Sequence, residues 1–115
     1  MILVITEHQD NKFRPITNEL IVFAQRLGQD MEKRVVAAVL GANVGTLADQ
    51  LKDRKLDRVI QIEDDQLADY SPDGYVAAVR QLVEQEKPLL VIAGHTTVGY
   101  DYMPRLAAGL GRPLI

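Results

Sequence analysis

The chain has no cysteine, which excludes a disulfide framework, thiolate metal ligation, a cysteine nucleophile and cysteine-ligated iron–sulfur centres. It has no tryptophan, and aromatic residues make up only 5% of it. Charge of one sign is also lacking: 13 Lys and Arg stand against 16 Asp and Glu, a net charge of −3 with no basic block. The footprint of a nucleic-acid binder is therefore missing, and nucleic acid is not an expected partner. No apolar run approaches the ~20 residues of a membrane span, so no membrane insertion is expected. Met1 runs straight into Ile2-Leu3-Val4-Ile5, without the basic region, long apolar core and small-residue cleavage site of a leader, which reads as a cytoplasmic protein of a bacterium or archaeon. Internal repeats and Gly/Ser linkers are absent, and 115 residues suit one small domain that buries roughly two-thirds of its unfolded surface.

What is present is alternation. Four apolar strands, at residues 2–5, 35–40, 58–62 and 89–93, are separated by helical patterns, which argues for parallel β-α-β units with right-handed crossovers. The first helix is expected to begin near Thr17 and stop at Gly28, with Leu20, Ile21, Phe23, Ala24 and Leu27 on its apolar side. The second is expected from Asn43, where Val44, Leu47, Ala48 and Leu51 follow helical spacing. The third has a sharp start, with Ser71 as N-cap, Pro72 in the first turn and Asp73 beside it, and Pro88 forbids extension at its far end. Between strand three and this helix, the acidic residues 63–70 read as a solvated connection. The fourth strand, a continuous apolar run, reads as covered on both faces. After it, Asp101 is expected to cap a helix over 101–110 with Pro104 in its first turn, ending at Gly111. Arg112-Pro113-Leu114-Ile115 then reads as the opening of a fifth strand, too short by itself, which suggests a piece of something longer.

Several stretches together carry a resemblance. They are Ile2-Leu3-Val4-Ile5-Thr6-Glu7-His8, Glu19-Leu20 through Leu27-Gly28, Leu40-Gly41, Asp57-Arg58-Val59 and Tyr70-Ser71-Pro72-Asp73. The most specific is Gly94-His95-Thr96-Thr97-Val98-Gly99, followed by Asp101, Pro104, Arg105, Leu106 and Ala107. With these residues, over essentially its whole length, the chain resembles the N-terminal domain of the alpha subunit of electron-transfer flavoproteins. The resemblance implies an α/β fold like that of the adenine-nucleotide alpha hydrolases: a three-layer open parallel sheet in the order 3-2-1-4-5 with helices on both faces. It implies that FAD belongs to a separate C-terminal domain of the alpha subunit, to which nothing in this chain corresponds, and that the domain binds no cofactor alone. A beta subunit carrying AMP would pack against both domains, and the heterodimer would move electrons from dehydrogenases to a quinone reductase or another acceptor. The chain departs from the family where Tyr100 replaces a common Lys or Arg, where Tyr102 replaces an aliphatic residue, and where Lys55-Leu56 replaces a frequent Gly-Ala.

In that implied order the ligand crevice of an open parallel sheet lies between strands one and four, bordered by loops 7–15 and 94–101. Both histidines, His8 and His95, fall in these loops. Glu7, Asp10 and Asp101 are available beside them, but the spacing matches no zinc or iron pattern, so neither a metal site nor a catalytic residue is assigned. Gly94, His95, Thr96, Thr97, Gly99, Asp101 and Arg105 are the candidates for ligand contact. The glycines and threonines fit a phosphate cradle at a helix start, and fit better a pair of tight turns. Arg105 can meet a phosphate, a partner carboxylate or a local partner. Tyr70, Tyr100 and Tyr102 suit interface anchors.

The function expected is that of a scaffold and subunit-interaction domain within an electron carrier, not an enzyme. The competing reading is a universal-stress-type ATP-binding protein; against it, the first strand ends in Thr6-Glu7-His8 where those proteins place an aspartate, and their final phosphate turn is missing. A hydrolase or transferase on this scaffold would want a phosphate loop after strand one, and residues 7–12 contain no glycine. Without its covering domain the chain would expose apolar surface, so a homodimer or weak aggregate is expected in isolation.

Overall fold

The computed structural model describes residues 1–114. Its centre is β1 (Ile2–Ile5), whose four residues are all buried. It pairs in parallel with β4 (Val35–Gly41) on one side and β6 (Leu90–Ile92) on the other. β4 in turn pairs in parallel with β5 (Arg58–Glu63). The order β5-β4-β1-β6 is the 3-2-1-4 part of the expected arrangement. Of the expected fifth strand, residues 112–114 are irregular and Ile115 lies outside the described residues.

Alternation along the buried strands sorts the core into two layers. Leu3, Ile5, Val36, Ala38 and Leu40 pack with Tyr75, Val79, Leu82, Val83, Tyr102 and Leu106 from α3 (Pro72–Glu86) and α4 (Thr97–Leu110). On the opposite face Ile2, Val4, Val35, Ala37 and Val39 meet Leu20, Ile21, Ala24, Val44, Leu47 and Leu51, on and around α1 (Pro15–Met31) and α2 (Gly45–Asp49).

The helix boundaries depart from the sequence reading in ways that have local causes. Pro15 opens α1, and the helix runs through Gly28 to Met31, ending on a left-handed Glu32 at φ 56°. Gly28 serves packing instead of ending the helix: a Cβ there would lie 2.7 Å from the Lys33 carbonyl oxygen and 3.0 Å from Val35 Cγ2, so glycine lets β4 come close. Phe23, assigned to the apolar side, is 57% exposed. α2 begins at Gly45, two residues after the expected Asn43. In the acidic connection, Asp64 caps a 3-10 turn at Asp65–Leu67 whose Leu67 is buried while its neighbours are exposed. α3 starts as read, with Ser71 Oγ accepting from the Gly74 N–H at 3.1 Å, and Lys87 ends it just before Pro88.

α4 begins at Thr97, one turn earlier than expected, with Thr96 and not Asp101 as its N-cap, and Pro104 is internal. Pro104 cannot bond the carbonyl four residues back, but both Pro104 and Tyr100 are exposed, so water can serve the Tyr100 carbonyl. β6 is shorter than the apolar run and each of its residues is only half-buried, because in the described residues it is an edge strand. Residues 7–15, expected as a loop, contain a small antiparallel hairpin of β2 (His8–Gln9) and β3 (Lys12–Phe13). Its turn places Asp10 and Asn11 at φ 52° and 59°, the left-handed pair of a type I′ turn that Asp and Asn tolerate.

Candidate functional site

From β1 the sheet continues through β4 on one side and through β6 on the other, so the direction of winding reverses between β1 and β6, and a ligand crevice is expected at their carboxyl ends. Glu7 sits there, one residue beyond Thr6 and only 6% exposed. Its backbone is clamped. The Thr17 hydroxyl accepts from the Glu7 N–H and donates to the Glu7 carbonyl, both at 2.8 Å, and the Arg14 N–H donates to the same carbonyl at 2.9 Å. Thr6 is held to β4 by its hydroxyl, which donates to the Ala38 carbonyl at 2.8 Å.

The carboxylate of Glu7 points at the start of α4. Thr96 Oγ1 donates to Glu7 Oε1 at 2.5 Å and accepts from the Gly99 N–H at 3.1 Å, so one hydroxyl caps the helix and holds the acid. Arg14 Nε lies 3.7 Å from the other oxygen, Oε2. The two glycines of the supposed cradle are consumed internally. A Cβ on Gly94 would lie 2.9 Å from Glu7 Oε1, and one on Gly99 would lie 1.9 Å from the Gly94 carbonyl oxygen. On the β4 side the crevice is covered by His8, whose Nε2 donates to the Leu40 carbonyl at 2.6 Å; a carbonyl only accepts, which assigns the proton to Nε2.

The remaining candidates spread around the rim. Thr97 is exposed at the first turn of α4. His95 is exposed, hydrogen-bonded through Nε2 to the Tyr100 hydroxyl, with the two rings 4.4 Å apart. The histidines thus have separate partners, and among the described residues no three His, Asp or Glu side chains gather as a ligand set. Asp101, freed from capping, accepts from the Tyr70 hydroxyl at 2.8 Å and ties α4 to the acidic connection. Arg105 pairs across the surface with Asp73 at 3.4 Å, an exposed contact worth little. Tyr100 is 63% exposed and Tyr70 is also exposed, as anchors should be. Tyr102 is not an anchor, being 1% exposed. It stacks edge-on with Tyr75 at 5.3 Å, which meets Tyr70 at 5.0 Å. Burial pushes the hydroxyls of Tyr75 and Tyr102 above their ordinary range, and burial followed by the bond to Asp101 does the same for Tyr70.

Sequence reasoning missed Arg14, Thr17 and the capping role of Thr96. A Thr following Pro15 at a helix start was the available signal for Thr17. Two other depressions, one between α3 and α4 lined by Asp73, Arg80, Glu84 and Arg105, the other near the amino ends of β4 and β5 lined by Glu32, Lys33, Arg34 and Asp57, are open grooves of mixed charge.

Residues 2–115 match the electron transfer flavoprotein domain. The chain is 38% identical over 114 residues to the electron transfer flavoprotein subunit alpha of Bacillus subtilis (strain 168), covering 99% of this chain and 34% of that protein. It is 32% identical over 110 residues to the corresponding subunit of Methylophilus methylotrophus, covering 96% and 34%. Similarity extends to the acryloyl-CoA reductase electron transfer subunit beta of Anaerotignum propionicum, 31% identical over 109 residues, covering 95% and 30%. The chain spans about a third of the length of these curated relatives. The 3-2-1-4 parallel sheet, the Gly94 to Ala107 signature and a match that runs the length of the chain agree, and the chain belongs to the electron transfer flavoprotein domain family, on the side of the alpha subunits.

Proposed function

We propose that residues 1–115 form the N-terminal scaffold and subunit-interaction domain of an electron-transfer flavoprotein alpha subunit. The domain performs no chemistry of its own. FAD is held by a C-terminal domain beyond these residues, a beta subunit is the partner, and the complete cytoplasmic heterodimer carries electrons from dehydrogenases to a quinone reductase or another acceptor. The observation that carries this reading is the filled crevice. Where an open parallel sheet would receive a ligand, Glu7 is buried, Thr96 is bonded to it, and Gly94 and Gly99 are packed against the protein's own atoms.

These residues do not fit an FAD. Its diphosphate would meet a buried carboxylate at the start of α4 instead of open amides, and like charges in that position repel. The same geometry speaks against the ATP-binding alternative, as does the family match. What the loop offers instead is its rim: His95, Thr97, Tyr100, Asp101 and Arg105 are exposed, and we assign them to contact with the partner subunit. The test is to titrate the 115-residue chain with FAD and with ATP, following heat of binding and the visible spectrum after gel filtration. Neither ligand should bind and no flavin colour should remain. Flavin that co-elutes with the chain, or micromolar ATP binding, would overturn the reading.

A further inference from the structure

In a chain without cysteine or tryptophan, tyrosine is the ring that gives up an electron most easily, so one-electron oxidation centres on the four tyrosines. Three of them touch in a line. Tyr102 of α4 meets Tyr75 of α3 edge-on with ring centres 5.3 Å apart, and Tyr75 meets Tyr70 of the acidic connection edge-on at 5.0 Å. Exposure rises along the line, from 1% at Tyr102 through 8% at Tyr75 to 37% at Tyr70. The line therefore runs from the core to the surface, each ring in contact with the next.

The outer ring differs from the inner ones in what its hydroxyl meets. A phenol that loses an electron becomes a strong acid and sheds its proton, so a ring with a base at hand holds the oxidised state best. Tyr70 has that base: its hydroxyl lies 2.8 Å from Asp101 Oδ2, closer than the 3.5 Å to the Val98 carbonyl, and a carboxylate only accepts. We propose that Tyr102, Tyr75 and Tyr70 form an aromatic relay that carries an oxidising equivalent out of the core, and that Tyr70 with Asp101 is its terminus. A one-electron oxidant of the oxygen-radical class takes an electron from any ring of the line. Tyr70 refills that ring, the Tyr70 O–H bond breaks, a new O–H bond forms on Asp101, and Tyr70 is left as the neutral phenoxyl radical. The step is stoichiometric, one electron and one proton per chain, so it adds a protective property to the scaffold and no catalysis.

The test oxidises buried and exposed rings alike. An ultraviolet pulse ejects electrons from tyrosine wherever it lies, and dissolved dioxygen takes them up as superoxide. The 115-residue chain carries Tyr100→Phe throughout, which removes the other exposed tyrosine and its bond to His95. Electron paramagnetic resonance locates the radical, mass spectrometry maps its stable products, and circular dichroism checks each fold. Product should collect on Tyr70. Asp101→Asn keeps the shape and removes the base, so the ratio of product on Tyr70 to product on Tyr75 and Tyr102 should fall at least roughly tenfold, because a positioned proton acceptor contributes about 10²–10⁴-fold to a proton transfer. Tyr75→Phe keeps a ring in place but breaks the line, and should leave product on Tyr102. Product spread evenly over the three rings, or a ratio that Asp101→Asn leaves unchanged, overturns the terminus; collection on Tyr70 that survives Tyr75→Phe undiminished overturns the relay.

Discussion

Two glycines in the same helix should respond to alanine with opposite signs. Alanine is favoured over glycine in a helix by about 1 kcal/mol, and at exposed Gly109 a new Cβ would meet only the end of Arg80, with Nη1 at 3.4 Å. A flexible side chain can yield, so Gly109→Ala is expected to stabilise by about 0.5–1 kcal/mol. At Gly99 the new Cβ would stand 1.9 Å from the Gly94 carbonyl oxygen, which is backbone and cannot rotate away. Bringing the pair to ordinary contact requires a shift of more than about 1 Å between β6 and α4, and overpacking of that kind costs about 1–3 kcal/mol. The Gly99 N–H is also the donor to the Thr96 cap, and a lost cap adds ~1 kcal/mol. Set against the ~1 kcal/mol that alanine gains in a helix, net destabilisation of about 2 kcal/mol follows for Gly99→Ala, a fall in Tm of roughly 8 °C in a domain of this size. Urea unfolding followed by circular dichroism, with the denaturant slope unchanged, measures both variants. Stability of Gly99→Ala within about 0.5 kcal/mol of wild type, or equal effects at the two positions, would refute the packing argument.

Thr96→Ala removes the cap of α4 and the donor to a buried carboxylate together, so it should cost about 2 kcal/mol, more than Ser71→Ala, which removes only the cap of α3; equal losses would mean that the bond to Glu7 contributes nothing. Burial raises the hydroxyl pKa of Tyr75 and Tyr102, while the unfolded chain ionises near its ordinary value of about 10. Above that pH the unfolded state binds fewer protons, so stability is unaffected by these groups in acid and falls as pH rises, by up to about 3 kcal/mol per unit for the two together. In a Tyr70→Phe, Tyr100→Phe double variant, which keeps only the two buried rings, tyrosinate absorbance should then appear only with unfolding, and its appearance in the folded protein near pH 10 would contradict the burial. The edge of β6, unpaired among the described residues, with half-buried Leu90 to Ile92 beside the exposed Leu89 and Leu114, should let the isolated chain associate as a homodimer or weak aggregate, so a strictly monomeric elution at high concentration would count against it.

The fold was legible wherever a local pattern had one meaning. The apolar runs of β1 and β4 read as buried strands and are buried along their length, whereas the similar run at 89–93 became the half-buried edge strand β6, and Ser71-Pro72-Asp73 marked a helix start. α4 was harder because Asp101 and Pro104 imitate a helix start one turn too late. The true boundary at Thr96 is fixed by Gly99 packing on the Gly94 carbonyl, a contact with no sequence pattern of its own. The hairpin was hidden for a related reason: its turn uses Asp10 and Asn11 at positive φ with no glycine to announce it. Lys55 occupies the left-handed region at φ 59° where the resembled family often has glycine, so that departure marks a backbone demand. Within the site, Glu7 was visible as a carboxylate near the crevice, but its bonding partner Thr96 is 89 residues away. Tyr102 was misread as an anchor because its role depends on the helical face it shares with Leu106.

A parallel sheet gathers its loops at one edge and normally spends them on a ligand. Here Glu7 and His8, adjacent in sequence and at the end of the central strand, close that edge from both sides, toward β6 through Thr96 and toward β4 through the Leu40 carbonyl. Closing it from within stiffens the framework, because the hairpin, β4 and the start of α4 all become cross-linked through two residues of one strand end. It also leaves the exposed side chains of the loop, Tyr100 and Asp101 with Tyr70 beside them, projecting from a rigid base. A rigid base with polar-tipped aromatic residues on its rim suits recognition of a protein surface, since little conformational entropy remains to be lost on docking. On the proposed reading, the residues that fill the crevice also favour the domain's use as a platform, and a variant that opens the crevice should weaken both the framework and the contacts built on it.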